Sequence, residues 1–286
     1  MKDCHLHFLP GYGPVEPPDS FVRKAAAAGI TGGTVMSMPP ESFKGPAAPW
    51  QERLEQVLDY CAQTPGFHPF FWFDPTEKDA FEQISCAAEK GVWGFKVISN
   101  HFYPEECLKE FTAVAETGLP IHFHSGILYD TRVSGKFLRP MNFECLMTVP
   151  ELRFALAHLG NPWVDEYVML YAKFNAARII DPEKCTHRMF VDLTPGVSRF
   201  RRGDALRMLL LPGHSDPSED IIWGSDSLLH NYDTKRAETF MDFDRTQINE
   251  IIKESHAAPG LYLQLPDDLW EKISGKNLAS FYGRNI

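Results

Sequence analysis

Hydrophobic and polar positions along this chain switch repeatedly between a period of two and a period near 3.6, and Gly or Pro marks most of the switches. Asp3 to His7 alternates as a short strand. Asp19 then caps a helix through Ala25-Ala26-Ala27-Ala28 that stops at Gly29. Thr31 to Met36 is a β-branched run that ends before Pro39-Pro40. Trp50 to Cys61 has helical spacing, and His68 to Phe73 is a continuous apolar run closed by Asp74-Pro75. The rhythm continues with a helix over Lys78 to Lys90 and a strand over Val92 to Ile98. A helix over Pro104 to Thr117 precedes a strand over Pro120 to His124. A short helix near Phe143 to Thr148, a strand over Arg153 to Ala157 and a helix over Asp165 to Ala176 follow. Met189 to Leu193, Asp204 to Leu211 and Ile221 to Gly224 add a strand, a helix and a last strand.

The pattern therefore predicts eight apolar strands alternating with helices, centred near residues 3, 33, 70, 95, 122, 155, 191 and 222. Continuous apolar strands of this kind belong to a parallel sheet covered on both faces. A doubly wound open sheet and a closed (β/α)8 TIM barrel both satisfy that requirement. Two features favour the barrel. The count matches, and polar residues fall at the C-terminal ends of the first, fifth, sixth and eighth strands. In an open sheet those ends lie too far apart to share one ion; in a barrel they meet at one mouth. With no Gly/Ser-rich linker, repeat or low-complexity tract, residues 1–286 read as a single α/β domain.

Composition narrows the function. A formal net charge of -10 excludes a nucleic-acid partner, which requires concentrated Lys and Arg. The cluster Arg199-Phe200-Arg201-Arg202 reads as a solvated helix start. No apolar stretch is long enough to span a membrane, and no N-terminal signal peptide is recognisable. The six cysteines are scattered without paired spacing, as expected of reduced thiols in a cytoplasmic protein. Cys4 reads as a packed core thiol on the face opposite His5 and His7.

The chemistry-bearing residues cluster at the strand ends. On a strand, His5 and His7 of Asp3-Cys4-His5-Leu6-His7 share a face, and two neutral imidazoles side by side make half of a metal site. Three later strand-like runs also end in a metal-type residue: Ile121-His122-Phe123-His124, Leu156-Ala157-His158 and Trp223-Gly224-Ser225-Asp226. Any one of these histidines alone is more often a hydrogen-bonded structural residue. Their joint recurrence at strand ends makes a metal centre the better reading. His101, His187, His214 and His230 are loop histidines, of which His230, four residues after Asp226, is placed to line the mouth.

These segments resemble the metal-dependent amidohydrolase superfamily, in particular the amidohydrolase-2 branch that includes aminocarboxymuconate-semialdehyde decarboxylase and related hydrolases. The resemblance is carried by Asp3-Cys4-His5-Leu6-His7, Gly94-Phe95-Lys96, Leu119 to Gly126, Arg139-Pro140, Leu156 to Gly160 with Pro162-Trp163, Gly224 to Ser227 and Lys272 to Ala279. The pieces stand in the family's order over nearly the whole chain. The resemblance implies that His5, His7, His124 and Asp226 bind one divalent metal, with zinc favoured and iron or manganese compatible with the same donors. His122 then reads as a deeper barrel histidine.

It further implies that His158 and Asp226 handle protons around a metal-activated water. Lys96 becomes a substrate partner rather than a bridging ligand. Branches with a carboxylate ligand on the third or fourth strand match less well, because this strand offers Lys96 and no Glu. Arg139 becomes a carboxylate clamp or a surface charge. Asp74 marks a turn, and Trp163 packs at a helix start. The expected activity is hydrolysis of a small-molecule amide, ester or lactone; the alternative is non-oxidative decarboxylation of a small carboxylic acid. A metal-independent lactonase and a binding barrel without turnover are the remaining readings. A homodimer is the default assembly.

Overall fold

A computed structural model describes residues 1–10, 13–44, 47–213 and 215–286. Among the described residues nine strands, all parallel, form one sheet: β1 (Asp3–His7), β2 (Gly33–Met36), β3 (Phe67–Trp72), β4 (Gly94–Val97), β5 (Ile121–Phe123), β6 (Arg153–Leu156), β7 (Arg188–Asp192), β8 (Ile221–Ile222) and β9 (Ser227–Leu228). They are ordered β8-β7-β6-β5-β4-β3-β2-β1-β9. The eighth position of the barrel is thus divided. β8 pairs with β7, β9 pairs with β1, and Gly224-Ser225-Asp226 lies between them. The seam is drawn together where the Cys4 N–H donates to the Trp223 carbonyl at 2.9 Å. The closed TIM barrel expected from the strand count is the fold observed, with the eighth strand broken at its chemistry-bearing end.

The α-helices among the described residues are α1 (Pro18–Ala27), α2 (Glu41–Lys44), α3 (Trp50–Ala62), α4 (Ala80–Glu89), α5 (Leu108–Glu116), α6 (Val164–Ile180), α7 (Arg199–Leu210), α8 (Thr234–Ala257), α9 (Leu269–Glu271) and α10 (Asn277–Tyr282), and the helix expected near Phe143 to Thr148 is a 3-10 helix over Pro140–Thr148. None is long and apolar enough to cross a membrane. The first helix begins at Pro18, not at an Asp19 cap. Pro17 is its N-cap, Pro18 fills the first turn where a missing N–H costs nothing, and Asp19 sits in that turn as a favourable anion. The sequence expectation had no counterpart for α8, which Asp233 caps by accepting the Arg236 N–H at 2.9 Å.

Side chains on the outer sheet face and the helices form the main core, including Leu6, Val35, Phe71, Phe95, Phe123, Leu156 and Val191. A second cluster fills the N-terminal end of the barrel: Cys4, Met36, Phe70, Ala155, Phe190 and Ile222 meet Leu278, Phe281 and Tyr282 of α10. The C-terminal helix therefore plugs one end and leaves the opposite mouth for chemistry.

Cys4 departs from its expected orientation. Between Asp3 and Leu6 the first strand advances three residues while its neighbour advances two, from Gly33 to Val35. This bulge breaks the alternation of faces. Cys4 joins the barrel's interior cluster, and its Sγ reaches Asp192 Oδ1 at 3.5 Å. Burial raises its thiol well above the usual range, as suits an inert packed cysteine.

Candidate active site

The C-terminal ends of the strands open into a pocket of about 430 Å3 lined by His5, His7, Lys96, His124, His158 and Asp226. Its outer wall is apolar, with Phe43, Trp72, Ile98, Leu128 and Tyr129. Donor atoms of His5, His158 and Asp226 lie within 4.8 Å of one another. His7 Nε2 approaches Asp226 Oδ1 at 3.3 Å, and His5 Nε2 approaches the same oxygen at 3.7 Å. The His124 ring lies 4.8 Å from that of His158. All four residues expected as ligands thus share one pocket, and the donor atoms that converge within 4.8 Å are those of His5, His158 and Asp226.

Two strand ends carry backbone conformations that side chains rarely adopt. His158 has φ 65° and Asp226 φ 54°, both left-handed, and such strain of about 1–3 kcal/mol persists only where the surroundings impose it. The close approaches are permitted by glycines. A Cβ on Gly196 would stand 2.5 Å from His158 Cβ, and one on Gly224 would stand 2.7 Å from His5 Cβ. His158 Nδ1 is 3.1 Å from the Pro195 carbonyl, which can only accept, so Nδ1 carries the proton and Nε2 is left free.

The electrostatics keep His5, His124 and His158 neutral. Burial, with the nearby Lys96 charge, lowers His5 well below its ordinary value. Burial and His158 do the same to His124, and burial also lowers His158. Asp226 behaves oppositely. Burial favours its neutral form, but the hydrogen bond from His7 and the neighbouring imidazoles outweigh this and hold it ionised. Lys96 is 1% exposed, its Nζ has no hydrogen-bond partner among the described residues, and burial pushes its pKa down to about 8.

These groups suit a metal ion. Neutral imidazoles and an ionised carboxylate converge, and His124 Nε2 is buried with no hydrogen-bond partner among the described residues. A second convergence, Cys4 with His122 and Asp192, is different in kind. There the donors hydrogen-bond one another, with His122 Nε2 2.8 Å from Asp192 Oδ2. His122 does sit deeper than His124.

Two residues expected at the substrate lie elsewhere. Arg139 is 51% exposed, pairs with Glu166 at 2.6 Å and lies over the Trp163 ring at 5.2 Å, so its guanidinium is engaged away from the pocket. His230 borders an adjoining recess shared with Asp226, Asn231 and Arg236, not the pocket itself. His101 pairs with Asp74 Oδ2 at 3.3 Å, and His187 is buried against Phe174. His214 lies outside the described residues. Asp74 accepts the Thr76 N–H at 2.9 Å in a turn.

Sequence reasoning missed Asp192. It ends β7, is fully buried, and accepts from both His5 and His122. A carboxylate at the end of the seventh strand was available as a signal, in the same kind of position as the other strand-end residues.

A profile of the amidohydrolase family matches residues 3–284. The chain belongs to that family. Solved structures superpose on it at low sequence identity. A Pseudomonas putida protein described as a 2-pyrone-4,6-dicarboxylic acid hydrolase aligns at TM-score 0.61 and 15% identity, covering 100% of this chain and 98% of that one. A 5-carboxyvanillate decarboxylase from Novosphingobium aromaticivorans, solved with manganese and 4-hydroxy-3-methoxy-5-nitrobenzoic acid, aligns at TM-score 0.57 and 13% identity, covering 92% and 79%. Dihydroorotase from Campylobacter jejuni aligns at TM-score 0.56 and 13% identity, covering 100% and 83%. At these identities the likeness is one of fold. No functionally curated protein matches the chain by sequence.

Proposed function

We propose that this amidohydrolase-family protein is a metal-dependent hydrolase of a small-molecule amide, ester or lactone. The observation that carries the reading is the convergence of the His5, His158 and Asp226 donor atoms within 4.8 Å, beside His7 and His124, at the barrel mouth. His5, His7, His124 and Asp226 would hold the ion; zinc suits these donors best, and iron or manganese would also fit. When bound, the ion supplies Lewis acidity near neutral pH. His158, fixed through Nδ1 by the Pro195 carbonyl, accepts a proton at Nε2 and returns it to the leaving group. Asp226 shares that proton through its carboxylate. Lys96 offers its unpartnered ammonium to an anionic part of the substrate, while Phe43, Trp72 and Leu128 exclude water from the apolar part.

Lys96 also favours a second reading, decarboxylation, because a buried cation beside the ligand set can seat the carboxylate that is lost. The test is elemental analysis of protein purified without chelators, followed by assay of lactones, esters and amides beside aromatic carboxylic acids. We expect close to one metal per chain and turnover of the first group, with His158→Asn lowering kcat by about 10²–10⁴-fold. Release of carbon dioxide from the acids with no hydrolysis would replace the reading with decarboxylation. Failure to bind metal even after reloading would point to a metal-independent lactonase or a binding barrel.

A further inference from the structure

Asp192 sits beneath the pocket with donors on both of its oxygens. Oδ2 lies 2.8 Å from His5 Nδ1 and 2.8 Å from His122 Nε2. Oδ1 accepts the Thr194 N–H at 2.6 Å, the Thr194 hydroxyl, and the Cys4 thiol at 3.5 Å. A carboxylate only accepts, so His5 must carry its proton on Nδ1 and His122 on Nε2. The Thr194 hydroxyl oxygen, 3.1 Å from His5 Nδ1, is a further acceptor for that same proton.

We propose that Asp192 is a positioning residue: it holds His5 as the Nδ1–H tautomer and so presents the Nε2 lone pair to the pocket, toward Asp226 and His158. Its consequence for metal affinity rests on the metal-site reading above; the tautomer is a property of the metal-free chain. His122, expected as a deeper barrel histidine, becomes the second donor that braces the same carboxylate oxygen.

Replacing Asp192 with Asn gives a directional outcome. An amide has one accepting oxygen and one donating nitrogen, and the two sides of Asp192 are not equivalent. The Thr194 side includes a backbone N–H, which cannot accept. The histidine side can adapt, because an imidazole accepts once its proton moves to the other nitrogen. The amide oxygen therefore faces Thr194, the amide nitrogen faces His5, and His5 is driven to the Nε2–H tautomer, with a hydrogen where the lone pair was needed.

The experiment uses metal-free protein with its histidines labelled with heavy nitrogen, read by long-range nitrogen–proton spectra. The His5 and His122 signals are identified from His5→Gln and His122→Gln. Zinc affinity is then measured by competition with a chromogenic chelator. We expect wild-type His5 protonated at Nδ1, Asp192→Asn His5 protonated at Nε2, and zinc affinity about 10–100-fold weaker in the variant, the range for groups that hydrogen-bond a ligating histidine. Wild-type His5 protonated at Nε2 would overturn the proposal, as would a folded variant that binds zinc as tightly as wild type. Should the variant not fold, the wild-type spectrum alone decides. Should wild type bind no zinc while its His5 is protonated at Nδ1, the metal-site reading fails and the tautomer assignment stands.

Discussion

Lys96 is held in a place that disfavours its charge, and that has a measurable cost. Its folded pKa of about 8 lies below the ordinary 10.5 because burial penalises the ammonium more than Asp192 and Asp226 favour it. Between those two values the unfolded chain keeps the proton and the folded chain releases it, so stability rises with pH across that window. Below about pH 8 the penalty is fully present. At about 1.4 kcal/mol per pH unit it amounts to no more than about 3 kcal/mol. Lys96→Met should therefore stabilise the metal-free protein at pH 7 by up to about 3 kcal/mol and lose turnover of anionic substrates. Urea unfolding of both proteins from pH 7 to 10.5 checks this. A variant that keeps the wild-type slope, or is less stable at pH 7, would show that Lys96 is compensated by contacts the structure does not contain. The residue types were legible at this scale and their company was not. Lys96 stands near the end of a strand in plain sight, yet its lack of a partner among the described residues depends on what the other strands place around it.

At the scale of elements, the ends of β7 and β8 are tied to the helices that follow them. Arg202 of α7 is fully buried, not the solvated helix start its sequence surroundings suggest. Its Nη2 bonds Asp244 Oδ2 of α8 at 2.7 Å and also the Leu193 carbonyl, and the same Asp244 oxygen accepts from Trp223 Nε1 at 3.0 Å. Leu193 follows Asp192, and Trp223 precedes Gly224-Ser225-Asp226, so this pair braces the backbone on which both site carboxylates stand. Arg201, on the next position round the helix, is exposed, and Phe200 is 95% exposed. A single turn thus carries opposite environments that composition cannot separate. Arg202→Met should cost about 3–5 kcal/mol, because it strands the Asp244 charge in the core. The double variant Arg202→Met with Asp244→Leu should recover much of that loss. Denaturant midpoints of the three proteins test the coupling, and a double variant no more stable than the single one would refute it.

The whole molecule divides its work between the two ends of the barrel. The mouth gathers strained backbone, buried charge and unpartnered polar atoms, while the opposite end is a buried, largely aromatic plug. Phe281 there is fully buried against Phe70, Phe190 and His122, and Tyr282 bonds Thr34 Oγ1 at 2.6 Å. Phe281→Ala should lower stability by about 3–5 kcal/mol, the usual cost of a large core cavity. It should leave KM unchanged at a temperature where the variant remains folded. Thermal unfolding and steady-state kinetics on the same preparation separate the two effects. A large change in KM with little loss of stability would mean that the ends communicate, through His122, more than the layered packing implies. That separation of stability from chemistry is a general property of barrels whose active sites lie at the C-terminal ends of the strands.

What the sequence by itself determined is whatever rests on local periodicity. Alternating apolar runs and helical stretches specify a parallel barrel, and the residues that close its strands supply His5, His7, His124, His158 and Asp226. Tertiary structure alone decided what depends on distances between strands far apart in the chain. Among these are the bulge that turns Cys4 inward, the Glu166 pairing that keeps Arg139 out of the pocket, and the hydrogen bond that joins Asp192 to His5 across 187 positions of sequence. The physical reason is the same in each case. Periodicity follows from the geometry of one segment, whereas a partner is chosen by closure of the barrel, which brings together residues whose own neighbours in sequence carry no trace of the meeting.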